Sequence, residues 1–507
     1  MSILTEEALE FARAHISKYY DSDFFPKPME FDALWHSWDE VKHELTSKNV
    51  NKLWVTHPRA LPARKPKGVF RVVHQLEPVD ALIYTALAYQ VAPDVENARI
   101  AADQRVACSY RLNVADGNFF ASGTGYTDFT SKTEELALAY EYVLTTDITD
   151  FYNQIYLHRL NSAIEDANPT LKPVGDDIEW FITTLNNKSS QGIPVGPAAS
   201  IVMAEAIMVD IDQFLLGRGM PHTRYVDDIR VFSNSERSLS KILQDLTLYL
   251  YEQHRLTLSG EKTEILPATR FVEQHLHNSY AEERLKIFRS LEIFNPYADE
   301  YDESSFEEED EDTLLRRKLL EVTTRILEFE HLDLGLARSV IRRARRNNVA
   351  ELIEPILANF SFFSPVINDV ALYLAEVTDD ESCGRLTPQL GSIIQSEVSD
   401  NGLVRFWMEW YLSRSPIFQR DNDIRSFLYS SRNIENQARA AVISRNLTWV
   451  REKKNEIYNL GTWGRRAVLY SSQILPGDEK RHWLRMTIGS TPILADKWVA
   501  KWILETT

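Results

Sequence analysis

A chain of 507 residues is too long for a single hydrophobic core, so two or three domains are expected. With 44% hydrophobic, 26% charged and 11% aromatic residues, the composition excludes wholesale disorder, and two cysteines exclude a disulfide framework or a cysteine-rich zinc cluster. A formal net charge of −18 argues against a broad, nonspecific nucleic-acid surface, which would draw its affinity from Lys and Arg, but leaves room for a local basic channel. No apolar run approaches the roughly 18 residues that span a bilayer, so no membrane is expected. Residues 1–20 mix Glu, Arg, His and Lys with apolar residues and lack the uninterrupted apolar core of a secretion signal. The expectation is a cytoplasmic protein with Cys108 and Cys383 as free thiols.

Residues 1–55 read as an N-terminal helical extension, in which Tyr19 and Tyr20 precede a stretch ending at Phe25-Pro26. Residues 56–295 alternate helical patterns with short strand-like runs. Residues 142–146 enter Asp147 as a strand, residues 198–214 form an amphipathic helix, and Arg230-Val231-Phe232 leaves Asp228 as a second strand. Strand with a carboxylate, helix, then hairpin with two carboxylates is the order of a palm, an antiparallel sheet backed by helices.

Asp299 to Asp312 hold ten acidic residues and no basic one, so residues 296–313 read as a self-repelling, solvated linker. An acidic docking tail for a basic partner is the alternative. Residues 314–507 read as helix throughout. Leu315, Leu319, Val322, Ile326 and Phe329 recur at helical spacing, as do Val366, Val370, Tyr373 and Val377. The stretches Ala438–Ile443 and Arg465–Leu469 are faintly alike, which suggests a stacked helical array, with an irregular bundle as its rival. Arg342, Arg343, Arg345 and Arg346 form the one dense basic cluster.

Transfer of a phosphoryl group to a hydroxyl is mainly a problem of positioning and charge, and two divalent ions about 3.5–4 Å apart can serve both the attacking and the leaving oxygen. Mg²⁺ takes oxygen ligands, usually a few carboxylates plus waters and substrate phosphates. Asp227 and Asp228 at a hairpin tip, beside Asp147 on a neighbouring strand, would supply them. Adjacent carboxylates repel one another without a cation, so their convergence itself argues for metal. An isolated Asp-Asp is more often a solvated turn. The flanking residues decide between the two readings.

Thr146-Asp147-Ile148-Thr149-Asp150-Phe151-Tyr152 resembles motif A of reverse transcriptases, and Gln191-Gly192-Ile193-Pro194-Val195-Gly196-Pro197 resembles motif B. Tyr225-Val226-Asp227-Asp228 is a complete motif C, and Leu256 to Thr263, with its late Lys262-Thr263, resembles motif D. Upstream, Lys67-Gly68-Val69-Phe70-Arg71 followed by Asp80 resembles the fingers motifs. These elements stand in the family's order over residues 60–270. The resemblance implies an α+β fold, with reverse-transcriptase fingers and palm followed by an all-α, HEAT-like helical-repeat domain.

It also implies roles. Asp147, Asp227 and Asp228 would bind two Mg²⁺ or Mn²⁺ ions, with the Ile148 carbonyl as a further ligand. Tyr152 would be the steric gate that excludes a 2′-hydroxyl, its rival reading being a core tyrosine. Lys67 and Arg71 would hold the triphosphate as charge-assisted donors, against a reading as surface cations. Gly192 and Gly196 would allow close approach to the nucleotide, Gln191 would touch it, and Lys262 could protonate the pyrophosphate. A motif E, usually Phe-Leu-Gly, is missing, with Phe271-Val272-Glu273 in its place, and neither an RNase H-like carboxylate set nor a basic thumb follows.

Residues 147–158, Gly192 to Gly196 and Arg224 to Asp228 are most similar to the bacterial abortive-infection polymerases of the AbiK and AbiA group, which carry a helical-repeat domain in place of a thumb. This closer resemblance implies deoxynucleoside triphosphates as substrates, synthesis of single-stranded DNA without a template, and a product attached to a protein hydroxyl. It further implies a ring-like homo-oligomer, a trimer or larger, and defence against phage. Tyr19 and Tyr20 are candidates for the priming hydroxyl, against a packing role. A template-copying enzyme of retron or intron type, in which the Arg342 cluster binds RNA, is one alternative. A catalytically idle scaffold with a helical interaction surface is the other.

Overall fold

The computed structural model describes residues 3–20, 24–123, 125–277 and 311–507. The acidic run lies outside them except for its last two residues, which open the helix Glu311–Leu327. The chain divides into two compact units, each drawn from three stretches of sequence: Met1–Ser22, Lys42–Arg59 and His74–Ser304 in the first, and Asp23–Val41, Ala60–Val73 and Ser305–Thr507 in the second.

Among the described residues, the first unit holds six strands in two sheets of its own. Strands β1 (Arg59–Arg64) and β2 (Phe70–Gln75) pair with each other, and residues 60–73 of that hairpin fall in the second unit. Strands β3 (Leu112–Ala115) and β4 (Asn118–Phe120) form a second hairpin. The principal sheet joins β5 (Tyr142–Asp147), β6 (His222–Tyr225), β7 (Asp228–Ser233) and β8 (Glu264–Pro267) in the order β6-β7-β5-β8, with every pair antiparallel. Val143, Leu144, Ile229, Val231 and Phe232 are all fully buried, so the centre of the sheet is covered on both faces. Each such side chain contributes about 1.5–3 kcal/mol relative to exposure.

Helices supply that cover. Glu236–Tyr249 packs on β5, β7 and β8, with Ser235 at its N-cap accepting the Ser238 N–H. Tyr126–Ala139 packs on β6 and β7. Ala198–Gly217 packs on Pro78–Ala98, which in turn packs on Glu6–Tyr19. Ala198–Gly217, expected to be amphipathic, is instead apolar nearly all round and central, with Ala199, Val202, Met203, Ile207 and Ile211 buried. Strand, helix and carboxylate hairpin follow the order read from the sequence.

Among the described residues, the second unit is helical apart from the β1–β2 residues it includes, and its helices pack on near neighbours in sequence, as in a stacked array. Leu334–Arg346 packs on Ile367–Val377, which packs on Gly402–Leu412. Ile434–Ile443 packs on Thr462–Ser471, the pair whose sequences are alike, and that helix packs on Leu494–Thr506. Residues from the N-terminal stretch are integral to it: Arg466 meets Glu30 at 3.0 Å with both buried, and Trp407 Nε1 donates to the Phe24 carbonyl.

Two further details depart from the sequence expectation. Phe329 lies beyond the end of Glu311–Leu327, where the chain turns away before Asp333 caps the next helix. Phe360–Val377 is an 18-residue helical stretch with a mean hydropathy of 1.2, long and apolar enough to cross a membrane by composition. Asn368 and Asp369 interrupt its apolar run, and 67% of it is buried, as in the core helix of a globular unit. Cys108 and Cys383 are both buried and form no disulfide.

Candidate active site

Asp147 and Asp228 stand directly opposite each other, as the last cross-strand pair of β5 and β7. Like charges in that position are destabilising by about 0.2–1 kcal/mol, so the pairing is not there for sheet stability. Asp227 precedes Asp228 in the two-residue turn Val226-Asp227 that joins β6 to β7. The turn is tied to the end of β5, because the Ile148 N–H donates to the Asp227 carbonyl at 3.3 Å. Ile148 itself is fully buried. The three acids thus share one edge of the sheet.

The segment 257–263 is laid along the same edge. The Thr149 N–H donates to the Thr257 carbonyl and the Ser259 N–H to the Asp147 carbonyl, both at 2.8 Å, and the Thr146 and Thr263 hydroxyls meet at 2.7 Å. This brings the exposed Lys262 ammonium to 2.9 Å from Asp147 Oδ2. An ion pair so open to solvent contributes little to stability. Its chemical meaning is local: a cation already stands against one of the three carboxylates.

Burial pushes the Asp228 carboxyl above its ordinary range; Arg230 opposes that shift, and Asp147 adds to it. Sequence reasoning did not single out Arg230. Its guanidinium lies 3.6 Å from Asp228, donates to the Thr133 hydroxyl at 3.0 Å and stacks over the Phe129 ring at 4.1 Å. An arginine inside an otherwise apolar strand, two residues past Asp228, was the available signal.

Gln191, Gly192 and Tyr152 are brought together beyond β5. The chain turns at Asp150, whose φ is +47°, into the short helix Phe151–Gln154. The Ile193 N–H donates to the Tyr152 carbonyl at 2.9 Å and the Gly192 N–H to the Ile155 carbonyl at 2.8 Å. Gly192 has a φ of +90°, and a Cβ there would meet the Asn153 carbonyl oxygen at 3.2 Å, so both conformation and space favour glycine. Gly196 has a φ of +133°. Gln191 Nε2 donates to Gln154 Oε1 at 2.8 Å. Tyr152 is half-buried, with its ring edge-to-face on Phe151.

Lys67 and Arg71 are exposed on the β1–β2 hairpin, among the residues of the second unit, whereas the other candidate residues lie in the first. At the base of β2, His74 is clamped to the Gly192–Gly196 loop: its N–H donates to the Val195 carbonyl, and the Val195 N–H donates to His74 Nδ1 at 3.0 Å. Burial lowers the His74 pKa, which favours the neutral ring this bond requires. Asp80 is buried and accepts the Thr56 N–H, a structural task. Where motif E was sought, Ala268–Phe271 and Val272–Leu276 are helical, and Phe271 is buried beneath Arg230. Tyr19 donates to Asn118, and Tyr20 accepts from Gln75. In the second unit, Arg342 binds the buried Asp369 at 2.7 Å and Arg345 meets Glu376, so the basic cluster is partly taken up by its own unit.

Three carboxylates on one edge are hard oxygen donors, suited to Mg²⁺ or Mn²⁺. Among the described residues no group of His, Cys, Asp or Glu already converges as a metal cage, and Asp147 is engaged by Lys262. The donor chemistry fits a divalent cation, and the ammonium marks where positive charge is needed.

Residues 64–277 match the family described as Reverse transcriptase (RNA-dependent DNA polymerase). No curated protein sequence matches the chain. Solved structures similar to it include telomerase from Candida albicans in complex with a TWJ fragment of telomeric RNA, at 12% identity and a TM-score of 0.32, covering 75% of this chain and 71% of that one. Telomerase from Candida tropicalis in the corresponding complex is similar at 12% identity and a TM-score of 0.34, covering 78% and 71%. Scores of this size do not mark a shared overall architecture. The family match spans both hairpin cations, the Gly192–Gly196 loop and all three carboxylates, and residues 64–277 are accordingly a reverse transcriptase domain.

Proposed function

We propose that this chain is a DNA polymerase of the reverse-transcriptase type that works without a template, primes on a protein hydroxyl and acts in abortive-infection defence against phage. The observation that carries the chemistry is the shared edge of Asp147, Asp227 and Asp228 with Lys262 at 2.9 Å from Asp147. In each step a hydroxyl gives up its proton to solvent as its oxygen bonds to the α-phosphorus of a deoxynucleoside triphosphate; the bond from that phosphorus to the α–β bridging oxygen breaks, and pyrophosphate leaves with that oxygen. Asp147, Asp227 and Asp228, with the Ile148 carbonyl, would hold two Mg²⁺ or Mn²⁺ ions, which supply charge neutralisation at the phosphates when bound. The Lys262 ammonium, once released from Asp147, would give a proton to the departing pyrophosphate. Tyr152 excludes a 2′-hydroxyl, Gln191 and Gly192 line the nucleotide, and Lys67 and Arg71 hold the triphosphate.

Two observations support the template-independent reading. The helical Ala268–Leu276 region stands where a primer-contacting turn would follow β8, and the basic cluster at Arg342 is partly engaged in ion pairs. The same reading has the protein working in the cytoplasm as a ring-like homo-oligomer, a trimer or larger, with single-stranded DNA covalently attached.

Electrophoresis of the purified full-length protein, incubated with deoxynucleotides and Mg²⁺ or Mn²⁺, tests it. The expected result is protein of excess mass that nuclease treatment removes. Absence of protein-linked DNA, together with efficient copying of an added primer-template, overturns it in favour of the template-copying alternative.

A further inference from the structure

The turn that carries Asp227 contains a contradiction. Val226 has a φ of +57°, a left-handed conformation that a β-branched residue adopts only under constraint. A positive φ at the first central residue of a two-residue hairpin is usually given to glycine. Something must hold this valine in place.

Both of its peptide groups are held from behind. The Val226 N–H donates to Ser109 Oγ at 2.9 Å, and the Val226 carbonyl accepts from Arg224 Nη1 at 3.2 Å. Ser109 Oγ donates in turn to Glu205 Oε1 at 2.9 Å. Arg224 binds Glu205 through Nη2 at 2.8 Å and Asp212 through Nε at 2.8 Å, and Arg99 reaches Glu205 at 3.0 Å. Arg224 and Ser109 are 0% exposed, and Glu205 and Asp212 1%.

Ions so buried must repay desolvation, and apolar packing of equal volume often serves stability as well. A network that only held the core together would have no need to end on both peptide groups of one strained residue beside the carboxylates. Glu205 and Asp212 also lie on the helix Ala198–Gly217, which begins directly after the Gly192–Gly196 loop, so one network fixes the turn to the helix leading out of the nucleotide loop.

We propose that Ser109, Glu205 and Arg224 are positioning residues that lock Val226 in its left-handed conformation and thereby aim Asp227 and Asp228 at one cation site. The role rests on the polymerase reading of that turn. It extends to cation affinity, which can be measured without catalysis.

Mn²⁺ binding to the metal-free, full-length protein, followed by electron paramagnetic resonance, is the test. Ser109→Ala removes the acceptor for the Val226 N–H and is expected to weaken Mn²⁺ binding roughly tenfold, the usual size of a lost outer contact. Nucleotide incorporation should lose kcat by a similar factor with KM unchanged. Adding Val226→Gly to Ser109→Ala should recover Mn²⁺ affinity several-fold, because glycine takes a positive φ without strain; relief of a general folding defect would not be selective for the metal. Ser109→Ala protein that binds Mn²⁺ like the wild type overturns the proposal, as does a double variant no better than Ser109→Ala. A wild-type protein that incorporates no nucleotide overturns the polymerase reading alone, and the Mn²⁺ comparison still decides the positioning role. Wild-type protein that binds no Mn²⁺ overturns both.

Discussion

Between β3 and β4 the chain reverses through Asp116 and Gly117, and between β6 and β7 it reverses through Val226 and Asp227. The first turn places both residues at positive φ, +49° and +77°, and uses the residue types that such turns favour. Its conformation follows from its own residue types, and His15 bonds the Gly117 carbonyl from outside it. The second places a valine at +57° and an aspartate beside a second aspartate, and Ser109 and Arg224 hold both peptide groups of the valine. The difference separates a turn selected to fold from a turn selected to present carboxylates. Local rules fail where function requires a particular direction.

The sharpest way to break this comparison is to neutralise each turn. Asp227→Asn or Asp228→Asn should reduce nucleotide incorporation at least about a thousandfold, near 4 kcal/mol of barrier, while the protein melts no lower than the wild type. Asp116→Asn keeps a residue that tolerates positive φ and should leave incorporation per folded molecule unchanged. Protection of cells against phage should vanish with Asp227→Asn. Protection that survives would make the domain a scaffold.

Acid should weaken the first turn through His15. His15 is buried, and its Nδ1–H donates to the Gly117 carbonyl at 2.7 Å; burial lowers its pKa from 6.5 to about 4. A base whose folded pKa is depressed stabilises fully above its unfolded value and loses that stabilisation as pH falls toward the folded one. Between pH 6.5 and about 4 the unfolded chain binds the extra proton, so His15 should withdraw about 3 kcal/mol over that interval. Urea titrations of wild-type protein and His15→Gln across this range measure it. A difference between the two proteins that does not change with pH would place His15 in a solvated environment and remove the argument.

The same contrast shows what was legible in the sequence. The β5 and β7 strands, the existence of a helix after Pro197 and the reverse transcriptase motifs could be read because local residue type and order carry them. Asp116-Gly117 is a residue pair that favours a tight hairpin turn. Glu205 and Asp212, seven residues apart on an apolar helix, were the trace of the buried network; their partners Arg99, Ser109 and Arg224 are distant in sequence, and nothing local joins them. Nor does any pattern announce that residues 23–41 and 60–73 belong with the C-terminal helices, since long-range packing leaves no periodicity of its own.

Gly117 gives a smaller effect that sharpens the comparison. A Cβ there would meet Ala14 C and His15 N, both backbone atoms, at 3.0 Å, in a conformation that alanine disfavours. Gly117→Ala should lower stability by about 2 kcal/mol in chemical denaturation. Its incorporation rate per folded molecule should match the wild type. A loss of rate larger than the loss of folded protein would show that the two turns are coupled.

Val226→Gly has the smallest expected effect and the most direct bearing on the second turn. Glycine removes the strain of a positive φ, about 1–3 kcal/mol, but adds disorder to the unfolded chain and gives up the valine side chain. The two nearly cancel, and a net gain of about 0.5 kcal/mol is expected. With Ser109 and Arg224 intact the grip on the peptide groups persists, so incorporation should fall no more than about threefold, less than 1 kcal/mol. Denaturation and steady-state rates on one preparation would measure both. A stability loss above 1 kcal/mol would mean that the valine side chain, and not the network, holds the turn. In that case the strain at residue 226 would be a by-product of packing, and the contrast between the two turns would no longer be one between folding and presentation of the carboxylates.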